Sequence, residues 1–176
     1  MPAASSLRVE SFAFFCGIAY LAIGLLGLMP QAVHPPSSDS PPVNIALLHG
    51  YLLGLFPVNI VHNGIHIAIG AWGIVAGRSV ASPKFYARTV AVAFATLAVL
   101  GLIPGLDTLF GLVPLHGDDV WLHAATAAVA IYFGWHPSAS IERRGGDSTD
   151  RRQRVEPVEQ ERRSGHGDRR LPGSEI

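Results

Sequence analysis

Between residues 9 and 77, and again between 89 and 142, the chain has no lysine or arginine. Soluble domains draw about a quarter of their residues from the charged types, whereas here charged residues make up 15% of 176. The zero net charge hides the asymmetry behind that figure. Basic residues are confined to Arg8, to Arg78, Lys84 and Arg88, and to a segment running from Arg143 to Arg170. Two long blocks without bases, dense in aliphatic side chains, suit a bilayer better than a water-soluble core. The length suggests one domain, and the expected fold is all-α: an integral membrane four-helix bundle.

The apolar runs set the helices. Residues 12–29 carry no charge over eighteen positions, near the ~20 needed to cross ~30 Å of hydrocarbon. A secretory signal peptide is the rival, with Gln31-Ala32 as its cleavage point. Its core would be shorter, about 7–15 residues, and end on a small-x-small pattern that is missing here. A retained helix over about 11–29 is expected. On it Ala13, Gly17, Tyr20 and Gly24 share one face, the small-residue signature of a packing side. Residues 30–43 hold five prolines and read as an irregular loop. Residues 44–56 are apolar but interrupted by His49, Gly50 and Gly54, and read as an interfacial or re-entrant segment. A second crossing follows over 58–77, with Pro57 suited to a helix's first turn. A third covers 85–103 and stops at Pro104-Gly105. The fourth, 119–136, has Trp121 at one end and Tyr132 and Trp135 at the other as interface anchors.

Residues 1–137 thus form the four-helix domain, and 138–176 are a different material. That segment is rich in Arg and acids, with a repeat of Glu142-Arg143-Arg144, Asp150-Arg151-Arg152, Glu161-Arg162-Arg163 and Asp168-Arg169-Arg170. It is expected to be a disordered, solvated mixed-charge tail. Attraction to anionic headgroups, about 1 kcal/mol per base, is offset by the paired acids.

The bases orient the chain. Segments 30–57 and 104–118 carry none and hold Asp39, Asp107 and Asp118. The positive-inside rule therefore places both termini in the cytoplasm. The excess of Arg over Lys fits a GC-rich bacterial genome, so a multi-pass protein of the cell (plasma) membrane, the bacterial inner membrane, is expected.

One stretch stands out within the second run. Asn59, His62, Asn63 and His66 fall within about 100° of one another on a helix, and Gly70, Gly73 and Gly77 extend the stripe. On the fourth run Asp119, His123, Thr126 and Ala130 fall within about 60°, with His116 just above. Both helices run inward from the outer face, so these groups share the outer half of the bundle. Polar groups at that depth are costly unless partnered, and mark function or a helix contact.

Three readings compete. Asn59, Asn63, His62, His66, Asp119 and His123 form interhelical hydrogen bonds that hold register, each worth ~0.6–2 kcal/mol. Alternatively His62, His66, His123 and His116 ligate haem or a transition metal, since His at i and i+4 points two imidazoles one way and a carboxylate can orient a ring. Or the cluster serves a solute or proton path, against which no acid or base continues into the inner half. His-Asn-Gly-Ile-His lacks the Glu of H-E-x-x-H. Cys16 and Ser11 sit at the far, cytoplasmic end, so no catalytic residue is expected. The lone cysteine makes no intrachain disulfide. The lipid bilayer is the expected partner, a homo-oligomer or membrane complex stays open, and no nucleic acid is expected.

The string Leu55-Phe56-Pro57-Val58-Asn59-Ile60-Val61-His62-Asn63-Gly64-Ile65-His66, with the glycine-rich helix and basic turn after it, resembles the domain-of-unknown-function 4383 family of bacterial four-helix membrane proteins. Leu109-Phe110-Gly111-Leu112-Val113-Pro114 and Leu122-His123 fit the same pattern, and the likeness covers roughly residues 8–136. It implies architecture and location, and no site assignment. Gly64 departs from the aliphatic residue expected there, and would either loosen the helix near His66 or admit a closer neighbour.

Overall fold

The computed structural model describes residues 9–78 and 83–136. The expected disordered tail lies outside the described residues, as do Arg8 and positions 79–82 of the basic turn. The described chain is mostly helical, with α1 (Val9–Leu26), α2 (Ile60–Arg78), α3 (Pro83–Gly101) and α4 (Asp118–Trp135). A 3-10 turn (Pro30–Ala32) and strands β1 (Val33–His34), β2 (Gly50–Leu52) and β3 (Phe56–Val58) occupy the connection from α1 to α2.

On α1 the buried residues are Val9, Ala13, Gly17, Tyr20 and Gly24, spaced by three and four as one helix face requires. That face lies along α2. A Cβ on Gly17 would come 2.5 Å from the Ile74 amide nitrogen and 2.7 Å from the Gly70 carbonyl. Hydrogen alone fits between the two backbones, the kind of close approach small residues permit in membrane helix pairs. In the same way α3 lies along α4. The pairs share a core of Ala13, Tyr20, Ala76, Tyr86, Val90, Phe94, Ala127 and Ala130.

The outer surface is apolar: Phe15, Val75, Val92 and Val99 are each more than half exposed. Helices α1, α2 and α3 are long and apolar enough to cross a membrane. An apolar surface of that extent is unfavourable in water and ordinary against lipid, and these three helices mark a membrane protein. Although α4 matches them in length, it opens on Asp118 and Asp119 and is not among the three.

The connection from α1 to α2 differs from expectation. Residues 44–56, read as an interfacial or re-entrant segment, are not free of regular structure. They contain β2, which pairs antiparallel with β3 through Gly50↔Val58, Tyr51↔Pro57 and Leu52↔Phe56. β1 adds on the other side through Val33↔Leu52 and His34↔Tyr51, so part of the proline-rich loop is ordered as strand. The reversal is made at Leu53 (φ 53°) and Gly54 (φ 76°). Pro57 sits on an edge strand, where its missing amide costs no ladder bond, and α2 begins later, at Ile60. The first helix ends at Leu26, where tightening bonds from Leu28 to Leu25 and from Met29 to Leu26 stop it. Asn44 ties this region to the α3–α4 connection. Its amide donates to the Gly111 carbonyl at 2.7 Å, and its side chain donates to the Phe110 carbonyl. The two connections together make a cap over one end of the bundle.

Candidate metal centre

The site begins with the start of α2. Asn59 precedes the helix, and its Oδ1 accepts the His62 amide at 2.9 Å, satisfying one of the donors that a helix start leaves open. Asn59 Nδ2 donates to the carbonyls of Leu112 (2.8 Å) and Ile45 (3.1 Å). One side chain thus caps the helix and clips both halves of the cap to it. One turn on, Asn63 Nδ2 donates to the Gly27 carbonyl at 2.7 Å, joining α2 to the end of α1. A side chain on Gly27 would collide with the Asn63 amide.

The histidines behave differently. His62 and His66 project from successive turns of α2, with ring centroids 4.4 Å apart. His123 of α4 faces them at 6.0 and 6.2 Å. One nitrogen from each ring can be chosen so that all three lie within 4.8 Å of one another. Asp119, one turn before His123, puts its Oδ2 3.5 Å from His123 Nδ1 and 3.8 Å from His62 Nε2. All four residues are at most 2% exposed.

Packing closes the site from both sides. Tyr20 meets His66 edge-on at 5.0 Å, Phe94 stacks on His123 at 4.8 Å, and Tyr20 stacks on Phe94. The Tyr20 hydroxyl is held by Thr126 Oγ1 at 2.6 Å. From the cap, the Pro57 and Pro114 carbonyls come within hydrogen-bonding reach of the His62 ring. Buried Leu52, Val58, Val113 and Leu115 cover that side.

Polar atoms in this enclosure lack partners. His62 Nδ1, both ring nitrogens of His66 and of His123, and both carboxylate oxygens of Asp119 make no hydrogen bond with any described residue. Buried polar atoms nearly always find a partner, so a concentration of them in one place calls for a physical cause.

Of the residues singled out in the sequence, His62, His66, His123 and Asp119 come together. Asn59 and Asn63 adjoin them as clips. His116 stands apart on the cap, half-buried, with its ring 6.2 Å from Tyr51. Sequence reasoning put Thr126 on the stripe of Asp119 and His123 but did not place Phe94 or the two proline carbonyls at the site. Tyr20 was visible on the small-residue face of α1, but nothing marked it as the neighbour of His66. Gly64 has open space around it and α2 runs through it unbroken. Among the described residues it neither breaks the helix nor meets a neighbour.

Fold and site together define a helical membrane domain with a buried histidine–carboxylate cluster at one end of its bundle. Most of the chain, residues 10–136, matches the family profile described as Domain of unknown function (DUF4383). The chain belongs to that family. No curated protein and no solved structure matches it.

Proposed function

We propose that this is a plasma-membrane protein that binds one transition-metal ion through His62, His66 and His123, with Asp119 as orienting carboxylate. In this reading all four helices cross the bilayer, both termini are cytoplasmic, and the site lies in the outer half. The distribution of Lys and Arg along the chain supports the orientation.

The observation that carries the metal reading is the set of buried imidazole and carboxylate atoms without partners. A buried carboxylate with neither donor nor cation is strongly disfavoured, and a divalent ion removes that penalty while using the imidazole lone pairs. Nitrogens on a tetrahedral ion bound at about 2.0–2.1 Å stand about 3.4 Å apart. One nitrogen from each ring, the three within 4.8 Å of one another, would reach that by side-chain rotation. Asp119 beside His123 Nδ1 matches the carboxylate–histidine–metal arrangement, in which the outer group sets tautomer and ring direction. Haem fits less well. A macrocycle needs a slot between its ligands, and the His62 and His66 rings are in direct contact. Three protein ligands leave a fourth position for water.

Interhelical hydrogen bonding, the other reading of the cluster, is supported by the asparagines. Asn59 and Asn63 fasten α2 to the cap and to α1, whereas the His66 and His123 rings make no hydrogen bond with any described residue and only the His62 ring meets cap carbonyls. We assign the fastening to the asparagines and metal binding to the histidines.

Full-length protein purified in detergent, stripped with chelator and titrated with Zn²⁺ or Co²⁺, tests this. One equivalent should bind and raise thermal stability, by about 2.7 kcal/mol at a free ion concentration 100 times Kd. His66→Ala with His123→Ala should abolish both effects. A folded protein that takes up neither ion overturns the assignment.

A further inference from the structure

We propose that the cap is seated in the leaflet at its own end of the bundle, with Leu47, Leu53, Leu55, Phe110 and Leu112 against acyl chains. The partner is the apolar phase of the bilayer, met by the connections as well as by the helices. The inference is independent of metal binding and of which side of the membrane the cap faces.

Three observations carry it. First, the cap is apolar inside and out. Buried Leu52, Val58, Val113 and Leu115 form its inner layer, whereas the five residues named above are all exposed. Exposed apolar groups of this size, gathered on connecting segments, mark a surface made to meet lipid or protein. Hydrogen bonds bring two of the segments side by side. Asn44 bonds to the carbonyls of Gly111 and Phe110, and Asn59 to those of Ile45 and Leu112. Leu53 and Leu55 flank Gly54 at the reversal between β2 and β3.

Second, two of the five are held where a large side chain is costly. Leu53 (φ 53°) and Phe110 (φ 59°) have left-handed backbone and are 60% and 71% exposed. Glycine enters that region at almost no cost, and bulky residues rarely do. At a turn tip in water, leucine or phenylalanine would add strain and recover nothing. Transfer of the side chain into hydrocarbon offsets the strain.

Third, the surface is continuous with one that already faces lipid, and it lacks charge. Met29 just past α1, and Leu102 and Ile103 just past α3, are exposed, so the apolar outer surface of those helices extends beyond their ends. Residues 40–77 hold no charged side chain, and Asp107 is the sole one in 102–117. A protein partner is normally steered and held in register by charged and polar groups at the rim, and anionic headgroups need bases. Acyl chains need neither. The exposed polar residues Ser37, Ser38 and Asp39 mark the part of the cap left in water. Insertion of about 5–10 Å, the depth reached by interfacial anchors, suffices for the five apolar side chains.

Nitroxide labelling of the full-length protein in phosphatidylcholine vesicles is the test. Cys16→Ser removes the native thiol, and single cysteines are introduced as Leu47→Cys, Leu53→Cys and Phe110→Cys. Ser38→Cys gives the reference for water, and Val92→Cys, on the exposed face of α3, the reference for hydrocarbon. Oxygen concentrates in hydrocarbon and a neutral gadolinium chelate stays in water, so the ratio of their effects on spin relaxation reads depth. At positions 47, 53 and 110 the oxygen-to-chelate ratio should stand several-fold above that at 38 and approach that at 92. Adding anionic phosphatidylglycerol should leave it unchanged. Leu47 lies outside the left-handed region, so Leu47→Cys guards against a local effect of substituting the strained positions. Chelate access at all three positions would put the cap in water, and exclusion of both reagents would mean that protein covers it. Either result overturns the proposal, as does a ratio that rises only with anionic lipid. None of these outcomes bears on ion uptake, so the histidine site stands or falls separately.

Discussion

At the scale of single residues, Asn63 and His66 lie one turn apart on α2 and are both buried, yet removing each has opposite consequences. Asn63 donates to the Gly27 carbonyl. Replacing it with Leu leaves a buried acceptor unpaired, at a cost of about 1–3 kcal/mol. His66 has no hydrogen-bond partner among the described residues. In metal-free protein, His66→Leu removes two unsatisfied polar atoms and keeps the volume against Tyr20, so stability should hold or rise by about 1 kcal/mol. The same substitution should eliminate any stabilisation by Zn²⁺. Thermal unfolding in detergent, with chelator and then with the ion, measures both signs. A large loss from His66→Leu in chelator would return the imidazole to a fastening role.

At the scale of elements, the bundle rests on how closely α1 and α2 approach. Gly17 faces the α2 backbone at distances that leave no room for Cβ, and backbone cannot yield as a flexible side chain can. Gly17→Val should therefore separate the pair, with a loss of about 3 kcal/mol or more. Gly64 on α2 is exposed, and a Cβ added there would meet nothing within 4 Å. Gly64→Ala should be tolerated or stabilise the helix by up to about 1 kcal/mol. Unfolding temperatures of the two variants give the comparison, and equal effects would show that the glycine face does not set the helix spacing. Strand β3 depends on its neighbours in the same way. Phe56-Pro57-Val58 resembles the opening of a helix when read along the chain. Its place opposite β2 is set by residues 30–34 and 50–52, which local reading treats as separate loops.

At the scale of the whole molecule, the described bases collect at one end of the bundle and the cap at the other. Among the described residues Arg78, Lys84 and Arg88 lie at or near the α2–α3 turn, opposite the connections that carry Asp39 and Asp107. Arg88 donates to the Gly134 carbonyl at 2.9 Å and lies over the Trp135 ring. It thus joins α3 to the end of α4 at the surface that the proposed orientation makes cytoplasmic. A phosphatase reporter active only outside the cytoplasm should stay silent when fused to either terminus, and become active when inserted at residues 37–40 of the cap. Activity at the carboxy terminus would show that α4 does not cross, and would place the histidine site differently with respect to the bilayer.

Hydropathy, charge placement and the three- and four-residue spacing of small and polar side chains sufficed for a mostly helical architecture with helices long and apolar enough to cross a membrane, and for the face on which Asn59, His62, Asn63 and His66 gather. Those properties are local: they depend on hydrocarbon thickness and helical pitch, both readable one segment at a time. Which neighbour each polar group meets is a matter of helix pairing and loop path. Only the tertiary structure separates the asparagines, which find carbonyls at Gly27, Ile45 and Leu112, from the imidazoles and Asp119, which find one another. Only it shows β1, β2 and β3 folding into a cap, because three strands of two or three residues are held by pairing across the chain and not by any propensity of their own.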